Sequence, residues 1–334
     1  MEVLIYVGSS DTDGAITLLS TDDRGVPHVA AEPTPVRAPS WLTPHPRLPV
    51  LYATNELPGE PGGVSAYAVG GPGVLRPLGT QPSGGVEPCH LALSLDGRYL
   101  LAANYGNGRI GVLRVGEDGS LGEPTEVVQH QPTRDEPAHV HQITLIGDAV
   151  TAVDLGADRL FGYRLSDDGR LHPTWTADAL PKAGPRHLVV HPSGRRYVTD
   201  ELASAVSTYV PDPDTGGLRR VATVPATCTG AGPGENAVSE LALSADGRYL
   251  YVANRGPSSI SVFAVTDEAL EPVGEVPTGG EFPRHFTLAG DRIYVANQHS
   301  HDITVLRVDP HTGLPVLTGD RAEVHSPTCL LVWG

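Results

Sequence analysis

The sequence predicts an all-β fold, a seven-bladed β-propeller of four-stranded blades. Three observations carry it: one phrase recurs about every 45 to 50 residues, the composition alternates strand formers with turn formers, and the two chain ends complement each other. The phrase is clearest as Pro88-Cys-His-Leu-Ala-Leu-Ser-Leu-Asp-Gly-Arg-Tyr-Leu-Leu-Ala-Ala-Asn104. It returns from Pro185-Arg-His to Asp200 and from Ser239-Glu-Leu to Asn254. Shorter copies lead from Pro39-Ser-Trp to Asn55, from Val140-His-Gln to Asp154 and from Pro283-Arg-His to Asn297.

Each copy holds an alternating strand, a turn such as Asp96-Gly97 or Asp246-Gly247, and a second strand ending at Asn or Asp. A third strand follows, as in Ile110–Arg114, Leu160–Arg164, Ile260–Phe263 and Ile303–Leu306. The fourth comes after turns such as Asp118-Gly119, Asp168-Gly169 and Thr312-Gly313. At the ends, Leu4–Gly8 reads as a second strand and Pro327–Trp333 as a first, so both termini build the last blade and close the ring. The repeat runs unbroken through residue 170, where two β-sandwiches would divide, so residues 1–334 read as one domain.

With 39 Gly and 31 Pro among many Val, Leu, Ala and Thr, almost no helix is expected. A formal charge of −16 argues against nucleic acid and anionic membranes as partners, because both need a basic footprint. Cys89, Cys228 and Cys329 have no motif spacing and apolar neighbours, which suggests reduced, partly buried thiols in a cytoplasmic protein. The start of the chain reads as a strand and not as a secretory leader. A monomer or weak homo-oligomer is expected.

In a blade the first strand lines the channel and the second returns antiparallel to it, so two positions per blade converge on one mouth. The first-strand set is Ser40/Trp41, Cys89/His90, His141, Arg186/His187, Glu240, Arg284/His285 and Thr328/Cys329. The second-strand set is Gly8-Ser9, Asn55-Glu56, Asn104-Tyr105, Asp154-Leu155, Asp200-Glu201, Asn254-Arg255 and Asn297-Gln298. Recurring Asn at a strand end is read as a turn former. The histidines of the Pro-x-His phrase, His90, His187 and His285, fit either a hydrogen-bonded spacer between blades or a ligand contact. Arg186, Glu201, Arg255 and Arg284 interrupt the repeat, and a repeating scaffold has no packing reason to place charge there.

These phrases, with His139-Val-His141, His191-Pro192 and Asp200-Glu-Leu202, make the chain resemble the lactonase family of seven-bladed propellers. That family has a 6-phosphogluconolactonase branch and a carboxy-cis,cis-muconate cyclase branch. The resemblance implies a catalytic set of His141, Arg186, Glu201 and Arg255. His90, His187, Glu240, Arg284, His285 and Gln298 are expected to bind substrate, a small anionic or sugar-type lactone. Two departures stand out: Glu240-Leu241-Ala242 where relatives often have Glu-Ile-His, and Asp200 where Asn is usual, an extra carboxylate expected to disfavour an anion.

Ring opening needs an activated water, an oxyanion stabiliser and a proton for the leaving alkoxide. Glu201 or His141 is the expected base, with Glu201 held ionised by its arginines, and Arg186 and Arg255 the expected oxyanion partners; Arg284 steers the anion. No cofactor and no metal are expected. His139-x-His141 and His299-x-His301 could each put two imidazoles on one side of a strand, yet no carboxylate stands at a ligand spacing. The same constellation also suits lactone formation across a conjugated double bond, and the fold also serves non-catalytic binding.

Overall fold

The computed structural model describes residues 2–71, 73–133 and 136–334. There are seven antiparallel sheets, six of them ordered as their strands occur in sequence and the seventh led by the last strand of the chain. Blade 1 consists of Leu42–Pro44, Val50–Asn55, Pro61–Gly71 and Val74–Val86. Blades 2 to 6 begin on the first strands Pro88–Leu93, Val140–Ile146, Pro185–Val190, Val238–Leu243 and Pro283–Ala289. In blade 7 the first strand is Pro327–Trp333, paired with Leu4–Ser9, which continues to Ala15–Thr21 and Pro27–Val29. Thr34–Pro35 adds a short fifth strand beside Ala15–Thr21. The first strands pack in sequence, and Pro327–Trp333 touches both Pro283–Ala289 and Leu42–Pro44, so the ring closes as expected. Among the described residues the only helical element is the single 3-10 turn Tyr105–Asn107.

Strand period explains the core. Successive side chains leave a strand on opposite faces, and here both faces of a blade are covered by neighbours. Leu100 therefore packs with Val50 and Tyr52 of blade 1, while Leu101 packs with Val140 and Ile143 of blade 3. Seven such apolar wedges fill the seven gaps between blades. The Asp-Gly turns carry the left-handed residue their hairpins need, with φ of 70° at Gly97 and 74° at Gly247. The recurring Asn and Asp residues are structural. Asn55, Asp200 and Asn254 are bonded by Ser65, Ser207 and Ser261 of their third strands, and Asn297 by Thr304.

At several junctions a tyrosine hydroxyl stitches one blade to the next. Tyr52 donates to the Gly119 carbonyl at 2.9 Å, Tyr251 to Gly313 at 3.0 Å and Tyr294 to Gly25 at 3.0 Å, each tying a second strand to the outer hairpin turn of the following blade. Tyr251→Phe, which leaves the Gly313 carbonyl without that donor, is expected to lower unfolding free energy by about 1 to 2 kcal/mol. Denaturant titration of the two proteins measures this directly.

Candidate active site

Two backbone devices aim side chains at the mouth. The first is a hydrogen bond repeated in all seven blades, from the residue just after the second strand to the carbonyl just before the first. Glu56 donates to Ala38 at 3.0 Å, Tyr105 to Glu87 at 2.9 Å, Leu155 to His139 at 2.9 Å and Glu201 to Gly184 at 2.8 Å. Arg255 donates to Ala237 at 3.2 Å, Gln298 to Phe282 at 3.0 Å and Ser10 to Ser326 at 3.3 Å. Of the acceptors, Ala38, Glu87, Phe282 and Ser326 adopt left-handed backbone without being glycine, local strain placed around the site.

The second device is a β-bulge at the start of the first strand. Pairing steps by one residue at Cys89, His141, Arg284 and Thr328, and across Arg186-His187 and Ser239-Glu240. A bulge re-aims its extra side chain. Short ones turn to the neighbouring blade: Ser239 bonds the Pro283 carbonyl, Thr328 the Ser40 carbonyl and Cys89 the His141 carbonyl. Longer ones at His141, Arg186 and Arg284 reach toward the axis.

The result is a pocket of about 390 Å³ lined by Ser10, Glu56, Glu87, Cys89, Tyr105, His141, Glu201, Arg255 and Arg284, with Pro58 at its rim. Glu201 is its centre of charge. Its Oε1 lies 2.8 Å from Arg255 Nη2 and its Oε2 lies 3.1 Å from Arg186 Nε. Arg255 is fixed further by Nε donating to the Ala237 carbonyl at 2.9 Å and by the Phe282 ring 5.2 Å from its Cζ. Arg186 is buried behind the lining. Its Nε is poorly aligned with Glu201, and neither Nε nor Nη1 completes a hydrogen bond. Burial and the facing Arg255 and Arg284 lower its pKa to about 9, which leaves it charged at neutrality. Burial, then Arg186 and His187, hold His141 well below the usual histidine range, so it is neutral. Burial pushes Glu56 up, with Arg284 opposing.

The expected catalytic residues are thus brought together, with Arg284 beside them. The remaining expected contacts stand farther back. His90, His187, Glu240 and His285 do not line the pocket; they surround Trp41, whose ring centroid lies 4.3, 5.5 and 5.3 Å from those of His90, His187 and His285. These histidines come from blades 2, 4 and 6, so the indole of blade 1 fills the axis beneath the pocket. Glu240 Oε2 sits 3.0 Å from His187 Nδ1 and 3.3 Å from His285 Nε2. Gln298 reaches the pocket through Ser10, to which it donates at 2.9 Å.

Several expectations are corrected. Asp200 adds no carboxylate to the pocket: it is fully buried inside its blade, bonded by Ser207, and burial raises its pKa to about 6. The histidine pairs do not share a strand face. His139 precedes its strand and stacks on Tyr105, while His141 is the bulged residue facing the pocket. His299 stacks on Phe282, and His301 on His325. Among the described residues, no three His, Cys, Asp or Glu side chains gather as a metal site. Cys89 and Cys329 are buried, and burial pushes Cys329 up to about 12, but Cys228 is exposed on a loop. Glu56 and Tyr105 stood in the converging second-strand set without an assigned role, and Glu87, just before its first strand, was in neither set. Glu56 occupies the same repeat position as Glu201, in Asn55-Glu56-Leu57 against Asp200-Glu201-Leu202, and that offset was the available signal.

The buried histidines make the site sensitive to acid. Burial lowers His285 to about 4, with Glu240 opposing, and holds His90, His141 and His187 well down. Unfolded histidine titrates near 6.5, so between pH 6.5 and 4 the unfolded chain binds more protons and stability falls as pH falls. His285 alone accounts for a loss on the order of 3 kcal/mol across that window. Denaturant unfolding at a series of pH values should show this fall, and His285→Gln should make it shallower.

Comparison with known proteins places this geometry. Residues 4–332 match the family model described as Lactonase, 7-bladed beta-propeller. The chain is 32% identical to a Bacillus subtilis protein described as 6-phosphogluconolactonase, over 97% of both chains. It is 30% identical to a Formosa agariphila protein of the same description, over 82% of both. Among solved structures, the periplasmic gluconolactonase of Pseudomonas aeruginosa superposes with a TM-score of 0.92 at 30% identity, covering 100% of this chain and 99% of that one.

Proposed function

Because the chain belongs to the lactonase family of seven-bladed β-propellers, we propose that it hydrolyses a small sugar-type lactone at the Glu201 pocket. The observation that carries the reading is the buried Arg186–Glu201–Arg255 chain of charge, set at the mouth with neutral His141 in the same lining. Guanidiniums fixed before substrate arrives stabilise an oxyanion without reorganising. Arg255 and Arg284, both on the lining, receive the carbonyl oxygen as it gains charge, and Arg186 holds Glu201 from behind.

Of the two candidate bases, His141 is the less committed. Its side chain makes no hydrogen bond to the protein among the described residues, and its Nδ1 is buried without a partner. Both Glu201 oxygens already meet guanidinium groups. His141 therefore takes the proton as water attacks the carbonyl, and Glu201 keeps two like charges in register. Cys89 and Cys329, buried and unpaired, suit the reducing cytoplasm as the working compartment.

The test is a panel of aldonolactones, with and without phosphate, beside a muconate, with ring opening followed against the spontaneous rate. Acceleration with a lactone supports the reading. Turnover of the muconate alone would transfer the pocket to the cyclase branch, and no turnover with no ligand-induced thermal shift would leave a binding propeller. On the best lactone, Arg255→Ala should lower kcat/KM about a hundredfold, the typical loss for a charged oxyanion partner. A value within a few-fold of wild type would remove Arg255 from the mechanism.

A further inference from the structure

Resting on the lactone reading, we propose that Glu56 is the general acid of the pocket, the group that hands its proton to the leaving ring oxygen. Three observations place it there. Glu56 lines the same cavity as His141, Arg255 and Arg284, from blade 1, which in a ring of seven stands across the mouth from blades 4 and 5 that supply Glu201 and Arg255. Its backbone is pinned by the N–H bond to Ala38, and the next residue, Leu57, is buried, so the carboxyl is held toward the cavity. Among the described residues no guanidinium stands within ion-pair distance of it, whereas Glu201 has two and Glu87 accepts the Gly59 N–H at 2.7 Å. Of the three lining carboxyls, Glu56 is the one not committed to a guanidinium or a backbone N–H.

Its surroundings suit the acid form. Arg284, the Ser40 hydroxyl and Arg186 favour the anion, and Glu87 opposes it. Burial outweighs the arginines and keeps the carboxyl protonated to higher pH than an ordinary glutamate. Proton accounting then closes. His141 removes one proton from water as the new C–O bond forms. The tetrahedral intermediate collapses, the ring C–O bond breaks with its electron pair on the ring oxygen, and Glu56 supplies the proton that makes this a hydroxyl. Solvent returns the proton from His141 to Glu56.

A proton donor matters only as much as its leaving group is basic, and this separates it from a mere substrate holder. Glu56→Gln should reduce kcat about a hundredfold on glucono-1,5-lactone, whose leaving group is an alkoxide. On dihydrocoumarin, which leaves as a phenol, the loss should be only a few-fold. The kcat pH profile supplies a second readout and decides alone if the wild type does not open dihydrocoumarin. Activity of the wild type should decline as rising pH deprotonates Glu56, and that limb should vanish in the variant. Equal losses on both substrates with the thermal midpoint preserved, or an unchanged pH profile, would overturn the proposal while the lactonase reading stands. Absence of any lactone turnover by the wild type would overturn both.

Discussion

A single backbone N–H···O bond, made once per blade at the mouth, sets the position of the groups that follow the second strands, Glu56, Tyr105, Glu201 and Arg255 among them. It fixes the residue after each second strand against the one before each first strand, at 2.8 to 3.3 Å in all seven blades. The bulge beside it turns one first-strand side chain out of the pleat in six of them. Between them these two devices present a pair of side chains per blade from rigid strand ends, which is how a repeating scaffold comes to hold a non-repeating site. Side-chain length then decides the outcome: Ser239 and Thr328 reach only a neighbouring blade, whereas His141, Arg186 and Arg284 extend toward the axis.

The charges gathered there are costly to bury. Arg186 and Arg255 share the Glu201 carboxylate with Arg284 on the same lining, and four histidines nearby give up their protons rather than add positive charge. Removing water from such a set strengthens each interaction in it. The tyrosine stitches and the seven apolar wedges supply the stability that makes this arrangement tolerable.

Much of this was legible in the sequence, because a repeat converts one recognised phrase into seven placed strands. The blade boundaries, the closure by both termini and the convergence of His141, Arg186, Glu201 and Arg255 all follow from counting offsets. What was not legible is depth and facing. A bulge leaves no mark in a strand pattern, so His90 was expected at the substrate and Cys89 was not, although Cys89 lines the pocket and His90 packs on Trp41. Asp200 and Glu201 are adjacent carboxylates, and only the Ser207 hydroxyl on Asp200, the counterpart of Ser65 on Asn55, reveals that it points into the blade. Glu56 stood in the converging second-strand set, but nothing in the sequence showed that Arg186 and Arg255 would pair with Glu201 and not with it.

Ring closure also sets an order of events during synthesis. Thr328 donates to the Gly8 carbonyl across a sequence separation of 320 residues, and Leu4–Ser9 has no inner neighbour until Pro327–Trp333 has left the ribosome. Six blades can fold while the chain is still growing, but throughout that time the Leu4–Ser9 strand keeps one unpaired edge. Ser10 and its partner Gln298 meet only when that seam is sewn. The Ser10 side of the pocket therefore takes shape only once Pro327–Trp333 is available to pair, and until then the Leu4–Ser9 edge is open to wrong partners.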